Sequence, residues 1–231
     1  MTGNTWLIKD DRVNPYTFFQ EVFVFYIFWW TTYNKVTNLL VHNSLLNRIP
    51  EEKHVEAKTR IISSIHAIIL TVGTTGYLLD YIDSDTWIQF LPLSIAFGIF
   101  DMTIITLNYK SFKKSYLSTG IHHSILILAP LTITRESRLT LAQAYICEIT
   151  VPLIDTSWYL YNAKLTNTLG FKINSAIALV VFFILRVVNS LHIAYELVWR
   201  DNIVLTFSSF VLVSLNIYWF KGLIRVYMRT R

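Results

Sequence analysis

An all-α membrane protein, a bundle of about seven transmembrane helices around a polar-lined cavity, is the fold the sequence predicts, and three observations carry it. Hydrophobic residues make up 53% of the 231 and charged residues only 15%, with a mean hydropathy of +0.44, whereas an ordinary soluble domain carries about a quarter of its residues charged. The apolar residues come in long unbroken runs close to the roughly 20 needed to cross a hydrocarbon core, unlike the alternating segments of a barrel. Within those runs stand Asp101, His122, His123, Glu148 and Asp155. A charge at that depth costs about 2.5 to 3.5 kcal/mol on insertion scales, so such residues face a bundle interior and mark a pathway or a reactive site.

Taken in order, the first run is Tyr16 to Leu40, behind a polar tail over residues 1–15. The tail has no short apolar region and no small-residue cleavage site, so the run is expected to stay in the mature protein. Lys58 to Leu79, Thr86 to Leu107, Ser115 to Thr134, Leu139 to Ala163, Lys172 to Val198 and Asn202 to Tyr227 follow. The fourth is the shortest, because Ile121 to Thr134 must borrow Ser115 to Gly120. The linkers are brief and polar, which makes residues 16–231 a single domain with no repeat or low-complexity segment. Trp29, Trp30, Trp87, Trp199 and Trp219 fall near the ends of runs, as interfacial aromatics do. Pro92, Pro130 and Pro152 are placed to kink helices. The single cysteine, Cys147, excludes an internal disulfide and any Cys-x-x-Cys site, and its apolar setting predicts a buried structural thiol.

Orientation follows from the lysines and arginines between runs. One side collects Lys9, Arg12, Arg135, Arg138 and Arg200. The other collects Arg48, Lys53, Lys58, Arg60, Lys110, Lys113, Lys114, Lys164, Lys172, Lys221, Arg225, Arg229 and Arg231. The richer side is expected to be cytoplasmic, together with the C-terminus. The basic residues are scattered through short loops rather than clustered, so no nucleic-acid partner is expected.

Depth can be counted at about 1.5 Å per helical residue. His66, Asp101, His123 and Asp155 then share a level roughly 9 to 12 Å below the cytoplasmic face, while Glu148 and Arg186 lie nearer the midplane and can neutralise one another. Glu148 and Asp155 fall on one helical stripe, which points them at a shared cavity. The apolar Ile125, Leu126, Leu128 and Leu131 continue toward the other face. The expected cavity is therefore polar at its cytoplasmic third and apolar beyond, a gradient that suits an acyl lipid.

At these residues the chain resembles the TLC family, named for TRAM, Lag and CLN proteins, which includes ceramide synthases and other lipid-handling membrane proteins. The resembling pieces are Ser63-Ser64-Ile65-His66, Phe100-Asp101, Lys114 followed by His122-His123, Glu148-Ile149-Thr150-Val151-Pro152 and Phe182-Phe183-Ile184-Leu185-Arg186. In ceramide synthases the double histidine usually continues as His-His-x-x-Thr; here it continues as Ser124-Ile125-Leu126, nearer to the family's other branches. The resemblance implies a multi-pass protein of the endoplasmic reticulum or another endomembrane that acts on or handles lipids. It also implies acyl transfer from an acyl thioester to a lipid or amine acceptor, with acyl-CoA as co-substrate.

The residues allow that chemistry independently. Adjacent imidazoles on a helix project about 100 degrees apart, so one can face the cavity while its neighbour bonds another helix. A neutral imidazole oriented by Asp101 or Asp155 can take a proton from an attacking amine or hydroxyl. His122, His123, Asp101 and Asp155 are accordingly the candidate catalytic residues, and His66, Glu148 and Arg186 the candidate substrate-binding ones. Each has an architectural alternative, because intramembrane polar groups also join helices and a buried ion pair can be structural. No cofactor motif is evident. A zinc site from His66, one of the paired histidines and Asp101 is the metal alternative, but no His-x-x-x-His pair supports it, and no metal is expected. The expected partners are membrane lipids, with self-association left open. A non-catalytic sensor, binder or trafficking factor for lipids is the second reading of the same cavity.

Overall fold

The computed structural model describes residues 14–41, 46–132, 137–199 and 203–230. The polar tail therefore lies almost wholly outside the described residues, as do Arg135, Arg200 and Arg231 of the charge count. Among the described residues all regular structure is helical: α1 (Pro15–Val41), α2 (His54–Leu78), α3 (Ser84–Ile88), α4 (Phe90–Leu107), α5 (Tyr109–Phe112), α6 (Tyr116–Leu131), α7 (Arg138–Tyr145), α8 (Thr150–Asn162), α9 (Leu169–Phe182), α10 (Asn189–Val198) and α11 (Ile203–Arg229).

Four helical stretches are long and apolar enough to cross a membrane by length and composition: Glu51–Leu78, Ser84–Leu107, Leu169–Val198 and Ile203–Arg229. These correspond to the second, third, sixth and seventh predicted runs. The other three differ for physical reasons. Helix α1 has 27 residues, but its Trp, Tyr, Thr and Gln side chains lower its hydropathy. Helix α6 has 16 residues, about 24 Å of rise against a core of about 30 Å. The fifth run is split by a 3-10 turn over Ile146–Ile149.

Helix α4 is the centre. In the Ser84–Leu107 stretch 67% of the apolar window is buried, against 17% in Ile203–Arg229, whose side chains are left for lipid. Helices α1, α2 and α6 pack around α4. Trp29 is fully buried, donates its indole N–H to the Leu93 carbonyl at 3.3 Å, and meets Phe97 edge-on at 5.5 Å. Trp87 is also fully buried, stacked on Tyr77 with its N–H 3.4 Å from Thr74 Oγ1. Both indoles were expected at the interface; each instead finds an internal partner for its one donor, which removes the reason to stay wet.

Breaks in the helices follow the prolines and one π turn. Pro152 cannot donate to the Glu148 carbonyl, and the chain passes from a 3-10 turn into α8 at that point. Pro92 lies in the first turn of α4, just past the α3–α4 break at Gln89. Pro130 lies in the last turn of α6. Between α9 and α10 the helix widens into a π segment, Phe183–Val188. There the Arg186 carbonyl accepts the Asn216 amide at 2.8 Å and the Ser190 hydroxyl, and the Leu185 carbonyl accepts the Cys147 thiol at 2.6 Å. The thiol is thus buried and used as a donor. At the α3 end, the Asp83 carboxylate accepts the Thr86 N–H at 2.7 Å, which holds its carboxyl below the ordinary range.

The contact that positions the functional side chains is the approach of α6 to α4. A Cβ on Gly98 would lie 3.0 Å from Ile127 Cγ1, so glycine at 98 lets the helices close one turn away from Asp101 and His123. Gly98→Leu is expected to destabilise the protein by about 1–3 kcal/mol by overpacking. Gly170→Ala, whose Cβ would meet nothing within 4 Å, should cost nothing. Thermal unfolding of both variants in mild detergent checks the contrast.

Candidate functional site

A cavity of about 480 Å3 opens between α2, α4, α6, α8, the π segment and α11. Six of the seven sequence-predicted site residues line it: Asp101, His122, His123, Glu148, Asp155 and Arg186. They arrive from five separate elements. Asp101 comes from the middle of α4 and the histidines from the second turn of α6. Glu148 belongs to the 3-10 turn, Asp155 to α8, and Arg186 to the π segment.

The seventh, His66, lies elsewhere. It is buried behind the wall, stacked on Phe97 with ring centroids 3.9 Å apart and edge-on to Trp29 at 5.8 Å. Phe97 lines the cavity in its place. Counting along the helix put His66 at the level of the other three, but Phe97, stacked on its imidazole, is the residue that borders the cavity. His66 is therefore not among the cavity-lining residues.

Inside the cavity the ionisable groups close on one another. His123 Nε2 lies 2.7 Å from Asp101 Oδ2, both side chains buried. Arg186 Nη2 lies 2.9 Å from Glu148 Oε1, and Arg186 Nε donates to Thr150 Oγ1 at 2.6 Å. The π turn brings this about: its carbonyls are taken by side chains of other helices, and its arginine is turned inward. Asp155, considered as an orienter for a histidine, has other partners. Its Oδ1 accepts from Arg60 Nη1 at 2.6 Å and its Oδ2 from the Ser64 hydroxyl at 2.8 Å. Arg60 is held from its own helix by Glu56, 2.9 Å away, and its guanidinium lies 4.7 Å over the Trp158 ring.

The two histidines differ. His123 is buried and bonds α4, whereas His122 is half-buried and meets the Trp219 ring edge-on at 5.4 Å on α11. The Nδ1 atoms of both are buried and have no hydrogen-bond partner among the described residues. Among the described residues no group of three or more His, Cys, Asp or Glu is placed to hold a metal ion.

Sequence reasoning missed Arg60, which was counted as a topology cation. The signal was present in Glu56, Arg60 and Ser64 at four-residue spacing, a polar stripe continuing into an apolar helix. It also missed the α11 wall, where Trp219, Lys221 and Arg225 line the cavity. The expected apolar extension along α6 is corrected as well. Of Ile125, Leu126, Leu128 and Leu131 only Leu126 lines the cavity, and Leu128 is 54% exposed on the outer surface. Consecutive helical residues face different ways, and that outward face meets lipid.

No protein-family model matches the chain and no curated protein matches it in sequence.

Removing one member of a buried pair strands the other charge, which costs about 3–5 kcal/mol. Glu148→Ala should lower stability by that amount. The double variant Glu148→Gln with Arg186→Met, which removes the cation too, should lose clearly less. Chemical or thermal unfolding of the two variants beside the unsubstituted protein makes the comparison.

Proposed function

We propose that the protein is a TLC-like, multi-pass membrane protein of the endomembrane system that acts on a lipid in the 480 Å3 cavity, transferring an acyl group from an acyl thioester to a lipid or amine acceptor. The observation that carries this reading is the arrangement around His122. A half-buried imidazole borders the cavity, and its neighbour His123 is fixed to Asp101 across to α4 at 2.7 Å. With His122 Nδ1 buried, Nε2 is the nitrogen left to meet a substrate.

In this reading the acceptor hydroxyl or amine gives its proton to His122 Nε2 as its oxygen or nitrogen bonds the acyl carbon. The carbon–sulfur bond then breaks and the leaving thiolate takes the proton, which restores the neutral imidazole. His123 and Asp101 hold the α6–α4 contact that aims His122 and are positioning residues. Arg60 with Asp155, and Arg186 with Glu148, form the polar walls.

One observation favours the second reading, a lipid sensor, binder or trafficking factor: each carboxylate lining the cavity has a cationic or imidazole partner within the protein, as an architectural lining requires. Turnover separates the two. With purified protein in vesicles, an acyl-CoA and lipid acceptors, His122→Ala should lower product formation by at least about 100-fold, with bound lipid retained in mass spectra of the purified variant. Bound lipid in both proteins with product from neither selects the binder.

The proposed topology has about seven spans. The lysine- and arginine-rich loops and the C-terminus face the cytoplasm. In sealed microsomes, external protease should remove a tag after Arg231 and spare one before Met1. The opposite pattern reverses the assignment.

A further inference from the structure

Next to the main cavity lies a second of about 310 Å3, between α8, α9 and α11. Trp158, Phe171, Ala178, Leu179 and Val226 give it a largely apolar lining. Among its polar side chains Ser157 and Ser175 lie 3.1 Å apart, with Asn174 donating to Ser157 at 2.8 Å, and Lys53 donates to Asn162 at 2.8 Å, while Tyr161 and Tyr227 also line it. The apolar part of this lining suits hydrocarbon. The two cavities share three wall residues, Arg60, Ile154 and Leu223, and so adjoin one another.

Charge accounting at the junction indicates the other end of that molecule. The carboxylates of the main cavity are met by Arg60, Arg186 and His123. Lys221 and Arg225, one turn apart on α11, line the same cavity without an ion pair among the described residues. Leu223, between them in sequence, borders both compartments.

We infer that the second compartment is a hydrocarbon subsite, holding the chain of a single-chain anionic amphiphile whose head lies against Lys221 and Arg225. The inference rests on the lipid-handling reading above and adds to it the class of ligand and the place of its chain. Ala178 and Leu179 on α9 set how much chain fits. Because Lys221 and Arg225 are exposed, their attraction for the head is screened by salt.

The experiment uses the full chain in phosphatidylcholine nanodiscs. A fluorescent fatty acid is displaced by fatty acids, lysophosphatidates and acyl-CoAs of graded chain length, with monoacylglycerols as the uncharged series. In the unsubstituted protein affinity should rise with length by about fourfold per added methylene until the compartment is full. Ala178→Leu and, from another point of the wall, Leu179→Phe should move that plateau to shorter chains while leaving short-chain affinity unchanged, which also shows that the variants are folded. Lys221→Ala with Arg225→Ala should weaken binding at every length and abolish its salt dependence. Preference for the carboxylate series identifies a fatty acid, and preference for either phosphate series identifies a lysophosphatidate or an acyl-CoA. An unmoved plateau in both α9 variants, or monoacylglycerols binding as tightly as the anions, overturns the inference and leaves the lipid-handling reading standing. If no long-chain amphiphile binds the unsubstituted protein, that reading falls as well.

Discussion

Pairing of charge away from water is the constraint on which the structure depends. Asp101 closes on His123, Asp155 on Arg60 and Glu148 on Arg186, and each pair joins two different elements of the bundle. An isolated charge in hydrocarbon is costly enough that a helix carrying one is not a stable neighbour for lipid. The pairs therefore fix which helix faces meet. Asp101 with His123 sets α6 against α4, Asp155 with Arg60 sets α8 against α2, and Glu148 with Arg186 sets the 3-10 turn against the π segment. The cavity is the space these three joints enclose.

The local irregularities serve the same constraint. A regular helix through Ile146 to Asn162 would ask Pro152 for a bond it cannot make, and the 3-10 turn that results carries Glu148. A regular helix through Phe183 to Val188 would keep its carbonyls to itself. The π segment releases them to Cys147, Ser190 and Asn216, so its backbone is tied to α11 and to the 3-10 turn while its arginine enters the core. Gly98 allows α6 close enough to α4 for an imidazole to reach a carboxylate. Backbone departures from ideal geometry are tolerated here because they are buried in protein, where side chains can satisfy the freed groups.

What was legible in the sequence is what a single helix determines. Composition and run length give the helical class and the four long apolar helices, and an ionisable residue inside an apolar run is conspicuous without any partner in view. What needs two helices at once was not legible. Arg60 reads as a loop cation until Asp155, 95 residues away, is placed beside it. Trp29 and Trp87 read as interfacial until Leu93 and Thr74 supply acceptors inside. His66 reads as a cavity residue from its place along the helix until Phe97 is seen stacked on it. The 3-10 turn and the π segment both fall inside predicted runs, where periodicity continues on either side and conceals the change.

The π segment has a bearing on how the chain tolerates insertion and deletion. An α-helix turns about 100 degrees per residue, so a residue gained within a regular span rotates everything after it and carries a buried stripe out toward lipid. A π turn absorbs a residue locally, and the helix beyond resumes its former phase. Helix α10 thus keeps Ile193, Ala194 and Leu197 turned into the bundle even though the path from α9 includes the wider turn. Length variation at this one place changes how far Arg186 reaches into the protein and leaves both flanking helices in register. The span after Leu169 therefore has a point at which its inner polar residue can be adjusted without repacking its ends.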